Sequence, residues 1–183
     1  MEIHFATSNV HKFKEAQEML KDARVELKRF GFEYREIRSE SLEEIARDAA
    51  AAAFGRLKKP VFVEDSGLFI DSLNGFPGTY SGWTFGKIGS GGMLRLLAGA
   101  KERSAHFGSC VAFADGKGVK TFSGTCRGTI SPEARGTGGF GYDPIFVPEG
   151  HNETFAQSII LKNKLSHRYN SLLKFSNYLR KTQ

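Results

Sequence analysis

The chain has 183 residues, with 26 Lys+Arg against 20 Asp+Glu for a formal net charge of +6, and 40% hydrophobic and 25% charged residues. That length and balance suit one globular domain over residues 1–183, and they exclude a disordered, collagenous or disulfide-stapled chain. The basic excess, with a sequence pI near 9.4, points to a polyanionic partner without choosing among nucleic acid, an anionic membrane and a phosphorylated small molecule.

Residues 2–6 alternate apolar and polar about Ile3 and Phe5 and are predicted as a strand. Thr7, Ser8 and Asn9 then offer capping groups to a helix whose apolar face is Phe13, Ala16, Met19 and Leu20. A helix N-terminus with Lys12 one turn in suits a triphosphate; an ordinary Asn9 cap beside a solvated lysine fits the same residues, and spacing alone favours the cap. A weaker strand is predicted over 24–30, followed by a charged stretch containing Glu36. Ser41 and Glu44 form a capping box for a helix with the stripe Leu42, Ile45, Ala46, Ala49, Ala53 and Leu57, which stops before Pro60.

Val61, Phe62 and Val63 read as a short buried strand running into Glu64-Asp65-Ser66-Gly67, so two carboxylates are expected at a strand terminus, where α/β sheets bind ligands. With Glu36 and Glu40 they are candidates for a hard cation such as Mg²⁺; carboxylates flanking a strand at the surface are the plain alternative. A loop over 74–80, a short helix over 93–97 and a hairpin over 105–130 turning at Asp115-Gly116 come next, the hairpin suggesting a second lobe. Gly136, Gly138 and Gly141 spell G-x-G-x-x-G, but Pro144 and the strand Ile145-Phe146-Val147 follow where a dinucleotide site needs a helix. Two readings of this loop stand: a flexible segment presenting Phe140, Tyr142 and Asp143 to a base, or a turn whose aromatics fill the core.

The basic run over 162–168 opens the last helix, whose inward face is Leu165, Tyr169, Leu172, Leu173 and Leu179. Cys110 and Cys126 lack zinc-site spacing and are expected as reduced thiols. No apolar run is long enough for a membrane helix and no secretory layout opens the chain, so the expectation is a cytoplasmic protein with no membrane partner. From the residues alone the fold is α/β, a hairpin lobe leaning on an N-terminal βα unit.

Five segments in order resemble the inosine/xanthosine triphosphate pyrophosphatase family: Thr-Ser-Asn-x-x-Lys-x-x-Glu over 7–15, Val-Glu-Asp-Ser-Gly-Leu over 63–68, Gly-Phe-Pro-Gly-x-Tyr-Ser over 75–81, Gly-Phe-Gly-Tyr-Asp-Pro-Ile-Phe over 139–146 and Lys-Asn-Lys-Leu-Ser-His-Arg over 162–168. The resemblance implies an elongated, two-lobed mixed-sheet α/β fold with the active site in the cleft between lobes, a homodimer, and Mg²⁺-dependent hydrolysis of ITP, dITP and XTP to monophosphate and pyrophosphate. It places Thr7, Ser8, Asn9 and Lys12 on the triphosphate, Glu36 and Asp65 on the metal, and Asp65 as general base. Ser66 would help bind substrate and Phe140 would stack on the purine, with Gly138, Gly139, Gly141 and Asp143 shaping the base pocket. Lys162 resembles a second phosphate lysine, and His167 and Arg168 the pair that reads the base. Leu161 and Tyr169 depart from the family's usual acidic residue and glycine. The competing reading is a basic module for single-stranded nucleic acid using strand aromatics as stacking platforms, which leaves Glu36 and Asp65 without a purpose; a third is a nucleotide-pool enzyme with another base preference.

Overall fold

Parallel pairing builds the N-terminal part of the chain: β1 (Glu2–Ala6) lies between β2 (Glu26–Phe30) and β3 (Val61–Ile70), with Ile3 opposite Leu27 and Phe5 opposite Phe62. The structure, a computed structural model, describes residues 1–23 and 25–182; Arg24, where the second strand is expected to begin, lies outside them. β4 (Pro77–Gly78) pairs antiparallel with β3. β5 (Ser104–Ala114) and β6 (Val119–Ile130) form the expected hairpin, and β7 (Phe146–Pro148) pairs antiparallel with β6. The sheet order is β2-β1-β3-β5-β6-β7, with β4 on β3. The helices are α1 (Val10–Leu20), α2 (Leu42–Leu57), α3 (Ser81–Leu96), α4 (Ile159–Leu165) and α5 (His167–Thr182). This is the expected mixed α/β class. Among the described residues no helix is long and apolar enough to cross a membrane.

The chain folds as two compact units, the first made of Met1–Asp65, Ser109–Gly124 and the residues from Arg168 on, the second of Ser66–Gly108 and Thr125–His167. Strand alternation explains the first unit. Successive side chains point to opposite faces, so Ile3, Phe5, Phe62, Val111 and Phe113 go to one core with Ala16 and Leu20 of α1 and Leu172, Phe175 and Leu179 of α5. Ala6, Val61, Cys110, Ala112 and Ala114 go to another, against Ala46, Ala50 and Ala53 of α2. Helices thus cover both faces of this sheet portion, as parallel strands require. The second unit has its own core, in which Leu68, Ile70, Met93, Phe107, Tyr142, Phe146 and Phe155 take part.

Several expectations are corrected. β3 does not stop at the charges but runs ten residues to Ile70, so Asp65 is mid-strand rather than at a terminus. The hairpin is not a separate lobe: its turn end, 109–124, belongs to the first unit with β1 and α1. The helix expected over 93–97 is the second half of α3, which kinks at Gly89 (φ 59°, ψ −170°). Its first half exposes Trp83, Phe85 and Ile88 and so shows no inward stripe to read. The last helix is two helices, because Ser166 adopts an extended conformation (φ −62°, ψ 155°) while its N–H still bonds Lys162 O. Lys162 therefore lies in α4 and Arg168 in α5. Leu172 and Leu179 are buried as expected, whereas Leu173 is 39% exposed.

The alanine face of α2 leaves no room for larger groups, since Ala46, Ala50 and Ala53 are each 0% exposed. Ala53→Leu should therefore lower stability by about 1–3 kcal/mol through overpacking, read as a shift in urea midpoint with unchanged m-value.

Candidate active site

β1 and β2 are parallel and each ends in a loop at its carboxyl end, the edge where α/β sheets gather ligands. Thr7, Ser8 and Asn9 follow β1, and Glu36 follows β2 in an irregular segment. Because Phe5 pairs with Phe62, the chain leaving β1 comes level with Glu64 and Asp65 of β3. Alternation then separates those two carboxylates. Glu64 falls on the Phe62 face, toward α1 and α5; Asp65 falls on the Val61 and Val63 face, toward α2.

On the α1 side, Asn9 caps α1 through its Oδ1, which accepts from His11 N at 2.9 Å and Lys12 N at 3.2 Å, and Thr7 Oγ1 accepts from Asn9 N at 3.1 Å. Asn9 is thus the helix cap the spacing favoured, and it already occupies two of the N–H groups at this helix start. Lys12 is not a solvated lysine. Its Nζ lies 2.9 Å from Glu64 Oε2 and donates to the Glu64 backbone carbonyl at 3.0 Å. Glu64 has no exposed side-chain surface; its Oε1 accepts from Ser109 Oγ at 2.7 Å and lies 3.2 Å from Arg168 Nε. Arg168, also buried, donates to Glu15 Oε2 at 2.7 Å, and Ser109 and Ser171 hydroxyls sit 2.9 Å apart. Burial alone would push the Glu64 carboxyl up, but the Arg168 guanidinium and the Lys12 ammonium hold it well below the usual carboxylate range. Burial would likewise weaken the charge on Arg168, and Glu64 and Glu15 outweigh it.

On the α2 side, the rings of Phe30, Phe32 and Tyr34 stack at centroid distances of 5.6 and 5.2 Å and carry the chain from β2 to the Tyr34 hydroxyl. Burial, then the negative charges of Glu36, Asp48 and Asp65, push this phenol well above its ordinary range. The Tyr34 oxygen is buried and has no hydrogen-bond partner among the described residues. Carboxylate oxygens are the donor type that a hard divalent cation takes. Among the described residues no three His, Cys, Asp or Glu side chains form a cage by themselves.

In the second unit, the 136–144 loop is laced down rather than flexible. Gly138 N bonds Ala156 O, Ala156 N bonds Asp143 O and Arg135 N bonds Pro144 O, at 3.1, 3.2 and 2.8 Å. Asp143 Oδ2 accepts from Phe140 N and from Lys162 Nζ, both at 2.7 Å, and the Lys162 ammonium stands 4.1 Å from the Phe140 ring centre. Gly139 has φ +70°, and a Cβ there would stand 2.1 Å from Asp143 Oδ2, so only glycine fits this turn. The two readings of the aromatics divide between them: Tyr142 is buried and meets Phe85 edge-on, filling the core, while half-buried Phe140 lies beside Lys162. His167 is buried with its ring stacked on Phe107 at 4.5 Å.

Ser66 is half-buried on β3. The strand beyond it is held by the 75–81 motif, in which Phe76-Pro77 is cis and buried Ser81 Oγ accepts from Leu68 N and donates to Gly78 O, each at 2.7 Å. A Cβ at Gly67 would stand 2.2 Å from Gly78 O, so β3 and β4 approach this closely only with glycine.

A sequence model of the Ham1 family matches residues 3–178. The chain belongs to the Ham1 family. It is 46% identical over 180 residues to a dITP/XTP pyrophosphatase of Saccharolobus solfataricus, covering 98% of this chain and 94% of that one. The dITP/XTP pyrophosphatase of Methanopyrus kandleri is 47% identical over 180 residues, with 97% and 96% covered. Among solved structures, a HAM1 protein from Coxiella burnetii superposes with a TM-score of 0.88 at 32% identity, over 99% of both chains.

In this Ham1 chain the structure joins Lys12 and Arg168 through one carboxylate, and Lys162, Asp143 and Phe140 around another. Sequence reasoning left Glu15, Ser109, Ser171, Tyr34 and Asp48 without roles, and it offered Glu64 with Asp65, Glu36 and Glu40 to a hard cation, whereas the structure pairs Glu64 with Lys12 and Arg168. Lys12 and Glu15 are three apart on one helix, which could have signalled a shared face. Ser109 and Ser171 carry no sequence signal, because their partners come from distant strands and helices.

Two outcomes are expected. Asp143→Ala should destabilise by about 3–5 kcal/mol, because it strands the buried Lys162 ammonium; denaturant unfolding measures it. Glu64, whose folded pKa is depressed below the ordinary 4.5, contributes stability that is full above that pH and lost as pH falls through the folded value. The stability difference between the native chain and Glu64→Gln should be constant at neutral pH and shrink only in acid below about pH 4.5.

Proposed function

We propose that this chain hydrolyses non-standard purine nucleoside triphosphates, dITP, ITP and XTP, to the monophosphate and pyrophosphate with Mg²⁺. The observation that carries this reading is the Lys12 ammonium, anchored on buried Glu64 just past the carboxyl end of β1, on a chain similar over nearly its whole length to proteins named dITP/XTP pyrophosphatases. Thr7, Ser8, Asn9 and Lys12 take the triphosphate. Glu36 and Asp65 would hold Mg²⁺, which when bound offsets charge on the phosphate oxygens.

Asp65 orients a water and accepts its proton as the water oxygen attacks the α-phosphorus; the bond to the α–β bridging oxygen breaks and pyrophosphate leaves. Lys12 opposes the charge that develops on the phosphates. Phe140 stacks on the purine, Gly138, Gly139, Gly141 and Asp143 shape its pocket, Ser66 contributes to substrate binding, and Lys162 is the second cation of the site. Donors from His167 and Arg168 aimed at a 6-oxo group would face another donor in adenine's 6-amino group, leaving buried groups unpaired at about 1–3 kcal/mol each. A homodimer and a cytoplasmic address belong to the same reading.

The nucleic-acid alternative needs exposed strand aromatics. Phe107 and Phe113 are 8% and 3% exposed and pack against Phe146 and Phe175, so they serve the core and not a stacking platform.

Pyrophosphate release from dITP and XTP should exceed that from dATP and dGTP by about tenfold or more, and should require Mg²⁺; a triphosphate panel with and without the metal tests both points. Asp65→Asn should lower kcat by about 10²–10⁴-fold while still binding nucleotide; single-turnover kinetics and equilibrium binding separate the two effects.

A further inference from the structure

We propose that Glu64 is a positioning residue of the reaction: its buried carboxylate clamps the Lys12 ammonium and is itself locked by Arg168 and Ser109, so that Lys12 meets the polyphosphate in one fixed orientation. This rests on the assignment of Lys12 to the phosphates. A lysine ammonium has three N–H donors on a flexible stem. Glu64 holds Nζ through two groups, a backbone carbonyl that accepts at 3.0 Å and an Oε2 at an ion-pair distance of 2.9 Å, so the ammonium is fixed in place against this one residue. The carboxylate cannot swing away with Lys12, because Oε1 accepts from Ser109 at 2.7 Å and lies 3.2 Å from Arg168 Nε. Arg168 is held from its far side by Glu15, and Ser109 by Ser171.

Glu64 shares its strand face with Phe62, whose neighbours are Phe5 and Phe175 at 4.3 and 5.0 Å, so its charge is held in this apolar layer by Lys12 and Arg168. Glu64→Gln removes one of the two carboxylates facing buried Arg168, a loss of stability that melting reads separately from kcat. A carboxylate beside a phosphate-binding lysine also opposes ground-state attraction of an anion. The arrangement therefore serves orientation at the expense of affinity, and it predicts a specific kinetic split.

The test uses the full chain and four forms: native, Glu64→Gln, Lys12→Ala and the double variant. Three quantities are read: steady-state kinetics with dITP, calorimetric binding of inorganic tripolyphosphate without metal, and thermal melting. Glu64→Gln should lower kcat by about tenfold or more while tripolyphosphate binds as tightly as before or more tightly, because one negative charge is gone. Lys12→Ala should lower kcat/KM by about a hundredfold alone and add little in the Glu64→Gln background, since the two act as one unit.

Equal Lys12→Ala factors in both backgrounds would overturn the proposal, as would an unchanged kcat below the melting temperature, the mark of a merely structural group. A kcat restored by raising Mg²⁺ would make Glu64 a metal ligand and overturn it too. Native chain that releases no pyrophosphate from dITP overturns the function reading itself. A harmless Lys12→Ala overturns only the lysine's assignment and this inference with it. If Glu64→Gln does not fold, Ser109→Ala removes one of the carboxylate's restraints: a kcat lower by about twofold or more supports the clamp, and an unchanged kcat refutes it.

Discussion

A carboxylate with no exposed surface, placed between a lysine and an arginine, organises the first unit of this protein. A charge taken out of water is stable only with partners of opposite sign and with its remaining lone pairs bonded. Glu64 has its counter-charges in Lys12 and Arg168 and a hydrogen bond from Ser109, and each of those comes from a different element: α1, α5 and β5. The carboxylate thereby constrains where two helices start relative to one strand. Glu15 completes the set, giving two buried or half-buried anions for two cations. The network can stay ionised at neutral pH because no member lacks a counter-charge.

Strand alternation gives the same segment its second property. Neighbouring residues on β3 point to opposite faces, so Glu64 and Asp65, adjacent in sequence, enter different environments: one beside the Lys12 and Arg168 cations, one on the α2 side. A shift of one residue in the register between β1 and β3 would exchange them. The apolar residues prevent that shift, since Phe62 belongs to the α1 and α5 core and Val61 to the alanine-faced core under α2. Hydrophobic packing thus sets which carboxylate faces Lys12 and Arg168 and which faces α2.

The second unit repeats the principle with a different loop. Asp143 binds the Phe140 N–H and the Lys162 ammonium through one oxygen, and Gly139 permits the close approach. Lys162 is 1% exposed, so its charge is oriented by Asp143 and by the Phe140 face rather than by solvent. Glycines in this loop are there for contact, not mobility.

The sequence alone determined what depends on local order: the alternation of β1, the Asn9 and Ser41 caps, the α2 stripe, the hairpin, and five short motifs whose order marks the family. It misjudged β3 because charged residues there look like a strand end and only distant partners make their burial possible, and it read one last helix because nothing in the residue pattern marks the extended backbone at Ser166. It also offered Glu64 to a cation from solution, where the structure gives it two cationic side chains. The identity of a buried ion pair is a property of three or four elements meeting, and no spacing along one strand records which helix will supply the cation. Tertiary structure decided that Lys12 is clamped, that Arg168 is buried between two glutamates, and that Tyr142 fills the core while Phe140 lies against Lys162.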